Sequence, residues 1–107
     1  MRYKIDFSSL KPEIPFPGIE HVYKDQKDIR MRVAEYRRSM EPHWCEKGHY
    51  GIMLEGTWDI EFPGETVIRF EKGDGVFLPP GKKHRHRARV VSKKVKVFFV
   101  ELLLPLE

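Results

Sequence analysis

Short runs rich in apolar residues follow one another along most of the chain, separated by glycine, proline and aspartate. Six of these runs cover residues 50–55, 57–62, 66–71, 75–79, 84–91 and 94–103. Residues 62–66 (Phe-Pro-Gly-Glu-Thr) predict a hairpin turn between two β-rich runs, and residues 72–75 (Lys-Gly-Asp-Gly) predict a second turn. Many short strands with regularly spaced turns are typical of an all-β sandwich or barrel.

The segment from Ile29 to Met40 has two periodicities at once. Ile29, Val33, Tyr36 and Met40 fit the spacing of a helix, whereas Ile29, Met31 and Val33 fit the alternation of a strand. Local periodicity therefore leaves this element open. The segment before it contains Pro12, Pro15, Pro17 and Gly18, which predict an irregular arm that wraps the domain.

Length and composition exclude several classes of protein. A chain of 107 residues fits one domain, and 40% hydrophobic with 12% aromatic residues is too apolar for a disordered chain. The sequence contains no run of 18 or more apolar residues, so we expect no transmembrane helix. The N-terminus lacks the pattern of a secretory signal. Cys45 is the only cysteine, which excludes an intramolecular disulfide, and we expect a reducing cytoplasm.

Positive charge is concentrated late in the chain. The formal net charge is only +4, but eight of the fifteen residues in 82–96 are Lys or Arg and none is acidic. Alternation predicts an outer strand face that carries Arg85, Arg87 and Arg89, opposite inward neighbours that include His84 and His86. The alternative is contact with an anion or a nucleic acid. Because the overall excess is small, we expect no specific nucleic-acid binding.

Four side chains form a candidate metal site. His43 and Cys45 share a face if their segment is a strand, and a turn at Gly48 can return His49 toward the same point. His84 follows a rigid Pro-Pro-Gly turn. Three imidazoles and a thiolate are suitable ligands for zinc, iron(II), nickel or copper.

Residues 42–56 resemble the first conserved motif of the cupin superfamily. That motif has His-x-His, three or four residues, Glu, six residues and Gly. This chain has His43-x-Cys45, three residues, His49, six residues and Gly56.

Residues 73–88 resemble the second cupin motif, which has Gly, five residues, Pro-x-Gly, two residues, His, three residues and Asn. This chain has Gly73, Pro79, Gly81 and His84 at those spacings, with Ala88 at the last position. The 16 residues between the two motifs are an ordinary spacing for small cupins.

The resemblance implies a double-stranded β-helix, that is, a jelly-roll β-barrel, and a strand over residues 29–38. It implies one domain over residues 1–107, with an N-terminal strand and arm at 1–25 and the barrel core at 26–107. Small cupins commonly form homodimers, and residues 3–7 are a candidate for a strand donated to the partner.

The resemblance also implies a divalent transition metal, with zinc or iron expected first and nickel, manganese or copper as alternatives. Cys45 stands where cupins usually have their second histidine, and His49 where they have glutamate. Both replacements are capable ligands, so we predict that His43, Cys45, His49 and His84 bind the metal. Four ligands would close the shell, whereas three would leave a position for water or substrate.

Three further residues keep two interpretations each. Glu46 is either an acceptor that orients an imidazole or an exposed carboxylate, and His86 is either a cavity acid–base group or a structural polar residue. Glu101 interrupts an apolar strand as a buried ion-pair partner or as an edge charge.

Two classes of function follow from the resemblance. The first is a metal-dependent enzyme, dioxygenase-like or an isomerase, acting on a small organic substrate in the barrel. The alternative is a non-catalytic module that senses a metal or binds a small ligand, since one fold serves both purposes.

Overall fold

The computed structural model describes residues 2–103, which fold into nine strands and two short 3-10 turns. The strands are β1 (Glu13–Phe16), β2 (Ile19–Gln26), β3 (Ile29–Arg37), β4 (His49–Glu55), β5 (Trp58–Phe62), β6 (Thr66–Phe70), β7 (Gly75–Leu78), β8 (Arg87–Val90) and β9 (Lys94–Leu102). The 3-10 turns are Phe7–Ser9 and Lys82–His84. Within this part of the chain, no helix is long and apolar enough to cross a membrane.

Two antiparallel sheets form the molecule. The larger sheet has the order β1-β2-β3-β9-β4-β7, and the smaller sheet has the order β6-β5-β8. The predicted all-β jelly-roll architecture is thus confirmed, and the six apolar runs correspond to β4 through β9.

The core lies between the sheets because the strands alternate between inward apolar and outward polar residues. In β9, Val95, Val97 and Phe99 are buried, and Lys94 and Lys96 lie outside. Complete burial of a side chain as large as Phe99 contributes roughly 1.5–3 kcal/mol to the free energy of unfolding.

The segment with two periodicities is the strand β3. It pairs with β2 on one side and with β9 on the other along its whole length. Two neighbouring strands satisfy its backbone hydrogen bonds, a long-range effect that the local spacing of apolar residues does not contain.

The N-terminal segment is more regular than its prolines suggest. β2 is a full member of the large sheet, so the strand framework begins well before residue 26. Pro15 is tolerated because β1 is an edge strand, where a missing N–H breaks no internal ladder. Residues 3–6 form no strand in this chain, and Met1 and residues 104–107 of the expected domain lie outside the described part.

The basic segment 82–96 is not one strand. Residues Lys82–His84 form a 3-10 turn after Gly81, whose φ of 109° favours glycine. Alternation begins only beyond this turn, with Arg85 and Arg89 exposed and His86 and Val90 buried. His84 is therefore outside the alternating pattern and exposed to solvent.

Candidate metal centre

Cys45, His49 and His86 converge at one end of the barrel. One potential ligand atom from each residue lies within 4.8 Å of the other two. Cys45 and His86 are opposite each other in an isolated antiparallel bridge, with the Cys45 N–H donating to the His86 carbonyl at 2.8 Å and the return bond at 3.0 Å. His49 enters from the first position of β4.

The imidazole of His49 is held by a carboxylate on β9. Its Nδ1 donates to Oε2 of Glu101, which also accepts from Nε of Arg32 at 3.0 Å. Burial would raise the pKa of Glu101, but the hydrogen bond from His49 and the charge of Arg32 outweigh it and lower the pKa. An ionised Glu101 accepts only, so the proton of His49 is fixed on Nδ1, and Nε2 faces Sγ of Cys45 at 3.9 Å.

His86 is fixed in the same tautomer by a backbone group. Its Nδ1 donates to the carbonyl of His84 at 3.0 Å, and a carbonyl can only accept. Burial lowers the pKa of His86, so the imidazole is neutral at neutral pH. Its Nε2 therefore carries a lone pair, the form in which histidine binds metals.

The thiol of Cys45 is poised toward its ionised form. Burial alone would raise its pKa, but the interaction with His49 and the hydrogen bond from the backbone N–H of Lys47 outweigh burial, and the pKa is lowered. The thiolate is the form of cysteine that binds metals and acts as a nucleophile.

This donor set fits a borderline transition metal. Two imidazole nitrogens and one thiolate match the ligands that zinc and related ions take in proteins. With Zn–N of about 2.0–2.1 Å and Zn–S of about 2.3 Å, two tetrahedral ligands would lie about 3.6 Å apart. The 3.9 Å between Cys45 Sγ and His49 Nε2 is close to that separation.

The structure brings together two of the four ligands predicted from the sequence, Cys45 and His49. His84 is exposed because the 3-10 turn directs it away, and its backbone carbonyl instead positions His86. His43 stacks on Phe16 with ring centroids 4.0 Å apart, and its Nδ1 lies 3.1 Å from the Glu41 carbonyl. Convergence of all four side chains is therefore not observed.

The sequence left two interpretations open for His86 and for Glu101, and the structure places both residues at the site. His86 lies two residues beyond the motif histidine, and Glu101 is the acidic residue within an apolar strand. The register explains Glu101, since Tyr50 pairs with Val100 and the preceding His49 therefore faces Glu101. Glu46 is an exposed carboxylate.

A cavity of about 330 Å³ opens beside the three side chains. Its walls are mainly apolar and aromatic, and they include Phe16, Tyr36, Trp58 and Phe99. His43 lines it too, although it is not part of the cluster. A largely apolar cavity with a few convergent polar groups is the usual form of a small-molecule site.

No family model and no curated protein sequence matches the chain. Several solved structures do. The polyketide cyclase RemF from Streptomyces resistomycificus superposes with a TM-score of 0.76 at 19% identity, covering 97% of this chain and 81% of that one. KdgF from Halomonas sp. gives 0.70 at 19% identity, covering 89% and 87%.

An RmlC-like cupin from Shewanella frigidimarina NCIMB 400 has a TM-score of 0.73 at 11% identity, and the match covers 97% of this chain and 93% of that one. At these identities the likeness concerns the fold. The topology, the two motif spacings and these matches agree, and residues 2–103 have the cupin fold.

Proposed function

We propose that the chain is a metal-dependent cupin in which Cys45, His49 and His86 bind a divalent transition metal beside a small-molecule cavity. The observation that carries the proposal is the pair of imidazoles whose Nδ1 protons are fixed by Glu101 and by the His84 carbonyl. Both Nε2 atoms are thereby left for a metal, in the arrangement that metal-binding histidines usually have.

The choice of metal follows from the ligands. A thiolate favours zinc or iron(II) over manganese, which prefers oxygen ligands. Three protein ligands leave a coordination position open, which is typical of catalytic rather than structural sites. When bound, such a metal supplies Lewis-acid polarisation of a substrate oxygen or activation of water or oxygen.

The protein's own residues would orient the metal ligands and exclude water from the cavity. Glu101 holds the ring of His49, and Arg32 holds Glu101 through its Nε while its NH2 group donates to the Tyr36 hydroxyl at 3.1 Å. Trp58 and Phe99 supply apolar walls that exclude water from the cavity. We therefore favour an enzyme acting on a small organic molecule over a metal-sensing module.

A second candidate is thiol catalysis without a metal, favoured by the Glu101–His49–Cys45 relay. This arrangement has the orienting acid, base and nucleophile of a covalent hydrolase. His49 Nε2 would take the proton of the Cys45 thiol, and the resulting thiolate would attack an ester carbonyl and form a C–S bond. As the C–O bond breaks, Nε2 would give that proton to the departing alkoxide. Water would then lose a proton to His49, add to the acyl carbon and release the acid and the thiolate.

Metal content separates these functions. Protein purified without chelator is expected to contain about one transition-metal ion per chain, and its cobalt(II) form is expected to show a thiolate-to-metal charge-transfer band. Cys45→Ser is expected to lose that band and most of the affinity, and metal is expected to protect the parent thiol from iodoacetamide.

Other results would contradict the proposal. Stoichiometric metal in Cys45→Ser, with thiol reactivity in the parent unchanged by chelation, would exclude Cys45 as a ligand. A metal-free parent that hydrolyses activated esters, and loses this activity in Cys45→Ser, would favour the thiol relay. Metal binding without turnover of any substrate would favour the sensing module.

A further inference from the structure

We propose that the cavity binds a small planar carboxylate and that Lys47 recognises its negative charge. This inference deepens the proposed function, since it names a ligand class for the same cavity. Recognition by Lys47 does not itself require the metal, so the two ideas can fail separately.

The charges around the cavity carry the first step. None of its lining residues is acidic in the described part of the chain, whereas Arg32, Lys47 and Arg87 are basic. The two arginines already have carboxylate partners, Glu101 for Arg32 and Glu61 for Arg87. Lys47 is exposed and has no ion-pair partner among residues 2–103. Among the described residues, Lys47 is therefore the basic side chain of the lining that has no carboxylate partner and can pair with the carboxylate of a ligand.

The shape of the lining indicates a flat ligand. Trp44 lies at the rim with 44% of its surface exposed, and the guanidinium of Arg87 is stacked 4.7 Å from its ring centroid. Phe16 and the His43 ring stacked on it line the same cavity. Aromatic faces arranged around a small cavity favour a planar, apolar body through stacking and burial.

The size of the cavity and the hydrogen-bond donors that line it favour a carboxylate over a phosphate. A cavity of about 330 Å³ has room for a single-ring compound. A phosphate dianion is usually held by several free cationic or backbone donors, whereas the two arginines here are engaged with glutamates. One ammonium group matches one carboxylate.

The test uses 4-hydroxybenzoate, its neutral isostere 4-hydroxybenzamide and phenyl phosphate, titrated calorimetrically into chelated and metal-loaded protein. The parent, Lys47→Gln and the control Lys72→Gln are compared, because Lys72 is an exposed lysine outside the cavity lining. Metal content is measured by elemental analysis on the same samples.

In both metal states, the parent is expected to bind 4-hydroxybenzoate at least about tenfold more tightly than the amide. Lys47→Gln is expected to abolish this preference and Lys72→Gln to retain it.

Equal affinity of the parent for the acid and the amide, tighter binding of phenyl phosphate, or a preference that survives in Lys47→Gln would each overturn the inference. Preference in metal-loaded protein alone would assign the carboxylate to the metal and also overturn it. Absence of metal with the preference intact in chelated protein would instead remove the metal proposal and leave this inference standing.

Discussion

Nδ1 of His49 donates a hydrogen bond to the carboxylate of Glu101, although 52 positions separate these residues in the sequence. Because Tyr50 pairs with Val100, His49 and Glu101 are opposite each other, and their side chains lie on the inner face of neighbouring strands. Glu101 thus gives a strand of the barrel wall a direct part in orienting one candidate ligand, and Arg32 anchors it from β3.

Glu101→Gln is expected to weaken metal binding while keeping the three ligands. Glutamine can still accept hydrogen bonds from His49 and Arg32. It lacks the negative charge that makes the imidazole more basic and therefore a better metal ligand. Loss of such an outer partner typically lowers metal affinity by about 10–100-fold, and we expect the lower end here. Zinc competition titration measures the effect. Asp59→Asn, which breaks the exposed pair with Arg69, should leave the affinity unchanged.

Matched variants of His86 and His84 test whether the ligand is the histidine indicated by the structure or the one predicted from the motif spacing. His86→Gln is expected to lose most metal affinity, because His86 is one of the three residues of the cluster. His84→Gln is expected to keep it, because His84 is exposed and contributes only its backbone carbonyl. The reverse order, measured by metal content after gel filtration, would favour the motif histidine as the ligand.

Acid is expected to destabilise the protein in part through His21. Nη1 of Arg32 lies 3.0 Å from Nδ1 of His21. Because a guanidinium nitrogen can only donate, His21 Nδ1 must accept. Burial and the charge of Arg32 lower the pKa of His21 from 6.5, against opposing contributions from Glu13 and Glu101. Below pH 6.5, His21 is protonated in the unfolded chain but stays neutral in the folded chain. The free energy of unfolding therefore falls with pH until the lowered pKa of the folded state is passed.

His21→Asn tests this effect, because its Oδ1 can accept from Arg32 without titrating. Between pH values of about 7.5 and 5, the variant is expected to lose less stability than the parent in urea denaturation. His86 contributes a change of the same sign to both proteins, so the difference between the curves belongs to His21. Identical pH profiles would contradict a buried neutral His21.

Gly51→Ala is expected to destabilise the fold. A Cβ at this position would lie 1.8 Å from the Phe98 carbonyl oxygen, so β9 would have to move away from β4. Overpacking of this kind typically costs about 1–3 kcal/mol. Gly75→Ala is the control, since its nearest neighbour would be 3.9 Å away. Comparable urea midpoints for the two variants would show that the strands adjust without cost.

Strands β4 to β9 could be predicted from the sequence because alternation and glycine–proline turns are local signals. Local periodicity left β3 open, and only the resemblance to the cupin motifs indicated a strand there, since its identity depends on pairing with β2 and β9. At the site, Cys45 and His49 followed from the motif spacing. His86 replaces His84 because a 3-10 turn shifts which side chains face inward, and a two-residue shift of this kind is invisible in the spacing. Glu101 required the register between β4 and β9.

The antiparallel bridge between Cys45 and His86 has a kinetic consequence. Two of the three candidate ligands are backbone partners, so their spacing is set by the folded chain before any ion arrives. Little ordering entropy would then oppose capture of an ion. An ion held by both side chains would in turn oppose opening of the bridge, so amide hydrogen exchange at these two positions is expected to slow when metal is added.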